Sequence, residues 1–268
     1  MVALLRACHP QPAAVVTALV GVLAFSAGRG WGTLWVIAAI GAGQLGVGWS
    51  NDYLDRSADA GRPDKPIPAG QIRARQVGVA ALVAFAAAVP LSLASGVASA
   101  LAHFVALGCA VAYNAGLKNL PVSAVPYAAA FGLVPAIVTL GLTPAHLPAP
   151  WAWAAGALLG LAGHFAQVLP DIPADVARGS HGLPQLAGQR ASAVVTALCL
   201  LGAVGAVAFG SGRPGPLTAS ALAVTALGGA AIVTTAFLGR LGLAFRITLV
   251  LAAVAVVALV LSGGQLAA

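Results

Sequence analysis

Carboxylates are the side chains with the clearest capacity for chemistry in this sequence, and they fall in two short stretches. The chain of 268 residues has no Glu and only six Asp. Four lie within thirteen residues and the other two within five, namely Asp52, Asp55, Asp59, Asp64, Asp171 and Asp175. Acidic residues that merely face solvent are expected to scatter over many loops. The clustering therefore predicts a carboxylate-lined site.

The first stretch offers three oxygen-bearing side chains at helical spacing. Asn51, Asp55 and Asp59 fall at i, i+4 and i+8, so they share one face if the preceding helix continues through them. Three such groups in a row would repel one another without a cation. Mg²⁺ prefers oxygen ligands and completes its shell with water and substrate phosphates. The spacing therefore favours a magnesium site, with Asp52 beside it.

The second stretch repeats the carboxylate spacing. Asp171 and Asp175 are separated by four residues, although Pro170 and Pro173 are expected to interrupt the helix there. A stripe at i, i+3, i+7 and i+11 would join both to two polar residues of the preceding segment, His164 and Gln167. Histidine and glutamine within apolar spans more often hydrogen-bond a neighbouring helix than bind a ligand.

Basic residues next to the carboxylates indicate an anionic ligand. Arg62 and Lys65 follow the first stretch, Arg178 follows the second, and Lys118 ends a segment that contains Tyr113-Asn114. A diphosphate held by Mg²⁺ and by Arg or Lys donors would explain this combination. The alternatives are loop carboxylates paired with nearby cations, and a membrane-anchoring role for Lys118.

Composition defines the elements that must position these side chains. The chain is 60% hydrophobic and 7% charged, with a mean hydropathy of +0.97, which excludes a soluble globule and a disordered chain. We predict an all-α, polytopic membrane protein forming one domain over 1–268, with a bundle around a central cavity. Nine transmembrane helices are predicted at 12–28, 31–50, 74–94, 97–115, 124–142, 151–169, 191–210, 216–238 and 243–262.

The distribution of basic residues predicts the orientation of this bundle. With the N-terminus in the cytoplasm, eleven Lys and Arg lie on the inner side and two, Arg29 and Arg213, on the outer side. Both Asp stretches then open to the cytoplasm. The positive charge is thus explained by membrane loops, and nucleic acid is not an expected partner. The three separated cysteines form neither a zinc motif nor a disulfide framework.

At these residues the sequence resembles the UbiA superfamily of intramembrane prenyltransferases. The resemblance covers essentially the whole chain and rests on Asn51-Asp52-x-x-Asp55-x-x-x-Asp59, on Asp171-x-x-x-Asp175 and, as a third element, on Tyr113-x-x-x-x-Lys118. Arg6 with His9-Pro10 also resembles the family's N-terminal entry.

The resemblance implies transfer of an isoprenoid chain from an allylic prenyl diphosphate to a hydrophobic, often aromatic, acceptor in the membrane. It implies Mg²⁺ held by Asn51, Asp55, Asp59, Asp171 and Asp175, with Asp52, Asp55, Asp171 and Asp175 as catalytic carboxylates. It implies substrate contacts from Arg62, Lys65, Tyr113 and Lys118. We predict further substrate contacts from their neighbours in these stretches, Asn114, Gln167 and Arg178.

Two other functions are compatible with the sequence. A UbiA-type terpene cyclase would ionise the same diphosphate and close a ring without an acceptor. A cation-coupled transporter would also carry intramembrane carboxylates, but such sites usually lie near the midplane on broken helices within inverted repeats. The acceptor, the chain length and the pathway are not encoded in any residue that we identify, since Arg29, Arg213 and Arg246 have no assignable role.

Overall fold

The computed structural model describes residues 2–212 and 215–267, and within these ranges its secondary structure is helical apart from one isolated β-bridge between Pro148 and Ala267. In chain order the α-helices are α1 (Val2–Ala7), α2 (Pro10–Ser26), α3 (Gly32–Asp55), α4 (Ala74–Leu93), α5 (Val97–Asn114), α6 (Ala124–Gly132), α7 (Val134–Thr139), α8 (Pro150–Val168), α9 (Ile172–Ala177), α10 (Leu183–Gly210), α11 (Pro216–Phe237) and α12 (Leu241–Leu261). Short 3₁₀ turns cover Leu117–Asn119 and Gly263–Gln265. The all-α prediction is confirmed for these ranges.

Six of the described helices are long and apolar enough to cross a membrane: α3, α4, α5, α10, α11 and α12. The other predicted spans correspond to α2, to α6 with α7, and to α8, which has 19 residues. The chain is therefore a multi-pass membrane protein. The number of nine spans, the central cavity and the cytoplasmic N-terminus stay predictions.

The fifth predicted span is a broken helix. α6 ends at Gly132, α7 begins at Val134, and Leu133 lies between them. Pro135 follows immediately, and a proline lacks the backbone N–H that a continuous helix needs and crowds the preceding turn. The predicted span over 124–142 thus corresponds to two consecutive helices, the second of which ends at Thr139.

Small residues allow the helices to pack closely. Gly156 and Gly160 of α8 face the backbone of α6, where an added Cβ would lie 2.5 Å from the carbonyl oxygens of Phe131 and Tyr127, respectively. Glycines four residues apart are a common device for close helix approach in membranes. The contact fixes Tyr127 of α6 against α8, which leads into the second Asp stretch.

Polar residues inside the bundle bond between helices. Ser92 of α4 lies 2.7 Å from Nδ1 of His103 on α5, and both side chains are buried. His103 thus bonds a neighbouring helix, as expected for a histidine within an apolar span. The same holds for His164 of α8, whose Nε2 lies 3.1 Å from Oγ of Ser123 at the start of α6.

Candidate active site

The first Asp stretch lies where α3 ends. The helix stops at Asp55, and the next turn is closed by the N–H of Asp59, which donates to the carbonyl of Asp55 at 2.8 Å. The predicted i, i+4, i+8 stripe is therefore interrupted after Asp55. Asp59 instead accepts a bond from Arg62 at 3.3 Å, and Lys65 Nζ lies 3.7 Å from its other oxygen.

Asn114 at the end of α5 fixes the orientation of Asn51. The Asn51 amide donates to Asp55 Oδ2 at 3.0 Å and to Asn114 Oδ1 at 3.3 Å. Asn114 is buried and donates in turn to the Val47 carbonyl and to Ser50 Oγ, both at 3.0 Å. This network holds the amide nitrogen of Asn51 against protein groups, so its carbonyl oxygen stays available to an external ligand.

Lys118 links the third sequence element to the first. Its Nζ pairs with Asp55 Oδ1, and both side chains keep about one fifth of their surface exposed, 20% for Lys118 and 21% for Asp55. Together with Asn51, this lysine occupies both oxygens of Asp55. Lys118 therefore competes with a metal ion for Asp55.

Asp52 occupies a different position from Asp55, facing the N-terminal segment. Its side chain is only 2% exposed, and Oδ1 lies 2.7 Å from Lys65 Nζ and 2.9 Å from His9 Nε2. Nearby, Gly48 contacts the backbone of Cys8 so closely that a Cβ would collide with it. The buried carboxylate thus holds the N-terminal segment and the loop after α3 against the end of that helix.

The rest of that loop is a surface ion network. Arg62 lies 2.7 Å from Asp64 and 3.3 Å from Asp59. The hydrogen bond from Arg62 lowers the pKa of Asp64, and the same bond raises the pKa of Arg62. Arg6 donates to the Asp64 carbonyl and to Gln71, both at 3.0 Å. Arg62 is therefore engaged by carboxylates of its own loop, and exposed at its surface.

The second Asp stretch forms a turn and a short helix. α8 ends at Val168, Pro170 follows, and α9 begins at Ile172, so the predicted stripe from His164 to Asp175 is not one continuous helix face. Gln167 donates to the Tyr127 hydroxyl at 2.6 Å. Asp171 is exposed, and within the described part of the chain it has no side-chain partner.

Asp175 is held on both of its oxygens. Arg178 donates to one at 2.6 Å, and Gln185 of α10 donates to the other at 2.9 Å. Sequence reasoning did not identify Gln185, because a lone glutamine ten residues after the motif carries no recognisable spacing.

The loops of the second and third elements pack directly against each other. An added Cβ on Gly182 would lie 2.5 Å from the carbonyl oxygen of Lys118. Ser123 Oγ accepts the N–H of Leu183 at 2.9 Å, and Ser180 donates to Asn119 at 3.2 Å. Since Lys118 also pairs with Asp55, the three sequence elements meet at one end of the bundle.

An aromatic cluster lies next to this meeting point. The rings of Tyr113 and Tyr127 meet edge to face with centroids 4.9 Å apart, and Tyr127 stacks on Phe131 at 6.0 Å. Tyr113 directly precedes Asn114, which bonds Asn51 of the first motif, and its ring lies 5.6 Å from that of His164. Tyr127 was missed in the sequence, where no motif or spacing set it apart.

Two further aromatic residues make other contacts. Tyr53 has the guanidinium of Arg56 4.5 Å from its ring centroid and packs against Gly78 of α4. Phe165 is buried, with its ring 5.7 Å from that of His164. Neither belongs to the contacts that join Tyr113 to Tyr127.

The donor set fits a magnesium ion in its chemistry. Within the described residues, no three Asp, His or Cys side chains are already grouped as metal ligands. Two oxygen donors are nevertheless free of protein partners, the carbonyl of Asn51 and the carboxylate of Asp171. Asp55 and Asp175 would become available if their cations turned to another anion. Hard oxygen donors of this kind suit Mg²⁺.

Comparison with known proteins identifies the class. A model of the UbiA prenyltransferase family matches residues 14–236, which span all three sequence elements. The chain belongs to the UbiA prenyltransferase family, and the resemblance drawn from the Asp motifs is confirmed.

Two characterised relatives are digeranylgeranylglyceryl phosphate synthases from archaea. The protein of Methanothrix thermoacetophila is 34% identical over 158 residues, covering 56% of this chain and 57% of that protein. The protein of Natronomonas pharaonis is 34% identical over 168 residues, covering 60% of this chain and 57% of that protein. The chain thus spans just over half the length of these relatives.

Solved structures share the fold over nearly the whole chain. One from work on digeranylgeranylglyceryl phosphate synthase in membranes has a TM-score of 0.71 at 14% identity and covers 98% of both chains. A UbiA homolog from Archaeoglobus fulgidus bound to GPP and Mg²⁺ has a TM-score of 0.67 at 16% identity, covering 96% of this chain and 99% of that one. At these identities the likeness establishes the fold.

Proposed function

We propose that this protein is a Mg²⁺-dependent intramembrane prenyltransferase, which moves an isoprenoid chain from an allylic prenyl diphosphate to a hydrophobic acceptor and releases diphosphate. The observation that carries the proposal is the pairing of Lys118 with Asp55 beside the loop of the second Asp motif. This arrangement brings cations and carboxylates together at one end of an apolar bundle. The carboxylates can bind the metal, the cations can bind the diphosphate, and the apolar helices can accommodate a water-insoluble isoprenoid tail.

The metal would be held by Asn51, Asp55, Asp171 and Asp175, with Asp59 at the edge of the set. When bound, Mg²⁺ would neutralise charge on the leaving diphosphate. Lys118 and Arg178 would turn from Asp55 and Asp175 to phosphate oxygens, leaving those carboxylates to the metal. Each cation thus balances a carboxylate in the empty site and a phosphate in the loaded one.

The remaining predicted residues take supporting roles in this proposal. Asp52 positions the first motif through Lys65 and His9, and Asn114 positions it through Asn51. Tyr113 and Gln167 line the substrate side, the latter through Tyr127. Arg62, bound to Asp59 and Asp64, would meet phosphate only at the rim.

The chemical step follows from charge stabilisation. The allylic C–O bond breaks, its electron pair leaves with the diphosphate, and fixed cations lower the energy of that separation. The allylic cation is shielded from water by the apolar helices and faces the aromatic rings of Tyr113 and Tyr127. The acceptor then forms the new bond to carbon and loses a proton.

Two chemical classes of acceptor are to be tested. An aromatic acceptor is our expectation from the sequence. The names of both archaeal relatives add a glyceryl phosphate lipid as the second class. Neither Arg246 nor Arg213 is assigned to the diphosphate in this proposal. Arg246 lies in α12, and Arg213 lies outside the described residues.

The activity test uses the full chain in detergent with geranyl, farnesyl or geranylgeranyl diphosphate, with and without Mg²⁺. Diphosphate release that requires both the metal and an acceptor supports the proposal and identifies the acceptor. Metal-dependent release of a cyclic hydrocarbon without any acceptor would favour the terpene cyclase. Binding to none of the diphosphates would favour a cation-coupled transporter.

Alanine variants assign the two motifs. Asp55→Ala and Asp171→Ala are each expected to abolish turnover while the protein remains folded, because each removes a metal ligand from a different motif. Size-exclusion profiles and thermal unfolding provide the check on folding. Turnover at the wild-type rate in either folded variant would remove that residue from the metal site.

A further inference from the structure

A second polar site lies at the end of the bundle opposite to the Asp motifs. α3 has 24 residues, so its two ends are separated by about 35 Å. The Asp motif follows one end, and Arg29 lies just before the other, in the turn between α2 and α3. Arg29 is partly exposed, and its Nε is buried without a hydrogen-bond partner.

The guanidinium of Arg29 is inserted between two helix ends. It lies so close to Gly141 that a Cβ added to that glycine would collide with it. The same Cβ would lie 2.7 Å from the carbonyl oxygen of Ser95. Among the described residues its one acceptor is the carbonyl of Val138 in α7, at a long 3.4 Å. One weak bond leaves most of the five N–H donors of an arginine unused.

Unpartnered hydroxyls gather in the same segments. Six buried side-chain polar atoms lack a partner within the described ranges, and Arg29 Nε is one of them. Three more are the hydroxyls of Thr33, Ser95 and Thr139, each more than nine-tenths buried. Thr33 comes four residues after Arg29, the carbonyl of Ser95 lies near Gly141, and Thr139 follows Val138. Buried polar groups are normally hydrogen-bonded, so this concentration indicates a ligand.

The chain provides no acidic side chain for Arg29. All six Asp lie in the two motifs at the other end, and the sequence has no Glu. Burial lowers the pKa of Arg29, and among the described residues no opposite charge counteracts it. A partly buried cation without a counterion favours an anion from outside the chain.

The level of Arg29 in the membrane identifies the source of that anion. Trp31 and Trp35 follow it with 87% and 49% of their surface exposed, and Trp151 and Trp153 begin α8 at the same end. Tryptophans concentrate at the headgroup level of membranes. At that level the abundant anion is the phosphate of a phospholipid.

We propose that Arg29, with the hydroxyls of Thr33, Ser95 and Thr139, forms a phosphate-binding site that takes the headgroup of a membrane phospholipid. The site is separate from the diphosphate site and independent of prenyl transfer. Its lipid would tie the turn between α2 and α3 to the end of α7.

The test is native mass spectrometry of the full-length protein, titrated with phosphatidylglycerol, with the diacylglycerol that lacks the phosphate, or with inorganic phosphate. We expect bound phosphatidylglycerol and no bound diacylglycerol. Arg29→Gln should weaken that binding about tenfold or more, as for the loss of a charge-assisted contact. Arg75→Gln, which removes an exposed arginine at the other end, is the matched control and should bind as the wild type does.

Three outcomes overturn the proposal. The first is equal lipid binding by Arg29→Gln and wild type. The second applies if that variant does not fold. It is wild-type phosphatidylglycerol affinity in the folded double variant Ser95→Ala/Thr139→Val, which removes two of the proposed hydroxyl donors. The third is the finding that inorganic phosphate binds as tightly as the phospholipid and displaces it. That result would reassign the site to free phosphate.

Discussion

Replacing Lys118 by alanine should change the affinities for metal and for diphosphate in opposite directions. In the described structure, Lys118 pairs with Asp55 while Asn51 holds the other carboxylate oxygen. In the proposed loaded state, the lysine contacts a phosphate oxygen. The substitution therefore removes a competitor for Mg²⁺ and, at the same time, a donor to the substrate.

The size of the substrate effect follows from the contact that is lost. A hydrogen bond to a charged group contributes about 1.5–3 kcal/mol, which corresponds to a Kd for prenyl diphosphate raised about 10- to 100-fold. The two side chains are about four-fifths buried, with 20% and 21% exposed, so solvent screening removes little of this. Mg²⁺ alone should bind at least as tightly as in the wild type, because Asp55 is released.

Isothermal titration calorimetry measures both affinities, first with Mg²⁺ alone and then with geranylgeranyl diphosphate at saturating Mg²⁺. Arg75→Ala is the control, since it removes an exposed arginine after the same loop and should change neither Kd. An unchanged diphosphate Kd in Lys118→Ala would refute the reasoning and return the lysine to an anchoring role. Equal weakening of both ligands would mean that the loop itself had been disrupted.

Two further substitutions test how the motif is positioned. Asn114→Ala removes three hydrogen bonds, worth about 0.5–1.5 kcal/mol each, so it should lower the thermal unfolding temperature. It also frees Asn51 and should therefore lower turnover. An unchanged unfolding temperature would contradict this prediction. Gly182→Ala places a Cβ 2.5 Å from the Lys118 carbonyl and should reduce turnover, whereas Gly163→Ala, with nothing within 4 Å, should not. Equal activity of the two glycine variants would remove the loop contact from the account.

The sequence was sufficient to propose a location for the candidate site because its carboxylates are so few. With six Asp and no Glu, the clustering alone identified both motifs, and apolar runs identified the helices that lead into them. The family followed from the combination of these motifs with Tyr113 and Lys118. These features depend on residue type and on short-range spacing, which a single sequence contains.

Contacts between residues far apart in the sequence could not be predicted from residue spacing. The pairing of Asp52 with His9 joins residues 43 positions apart, and the bond from Leu183 to Ser123 joins residues 60 apart. Gln185 at Asp175 had no motif to reveal it. The end of α3 at Asp55 was also missed, because whether Asp59 continues the helix depends on its cation partners, Arg62 and Lys65, in the loop.

The most direct test of the central claim is whether both Asp motifs hold one diphosphate through the metal. Binding of geranylgeranyl diphosphate is measured with and without Mg²⁺ for wild type, Asp55→Asn and Asp171→Asn. We predict that Mg²⁺ strengthens binding to wild type, and that each single variant loses most of this gain although the other motif is intact. Full metal-dependent binding in either folded variant would contradict a shared site.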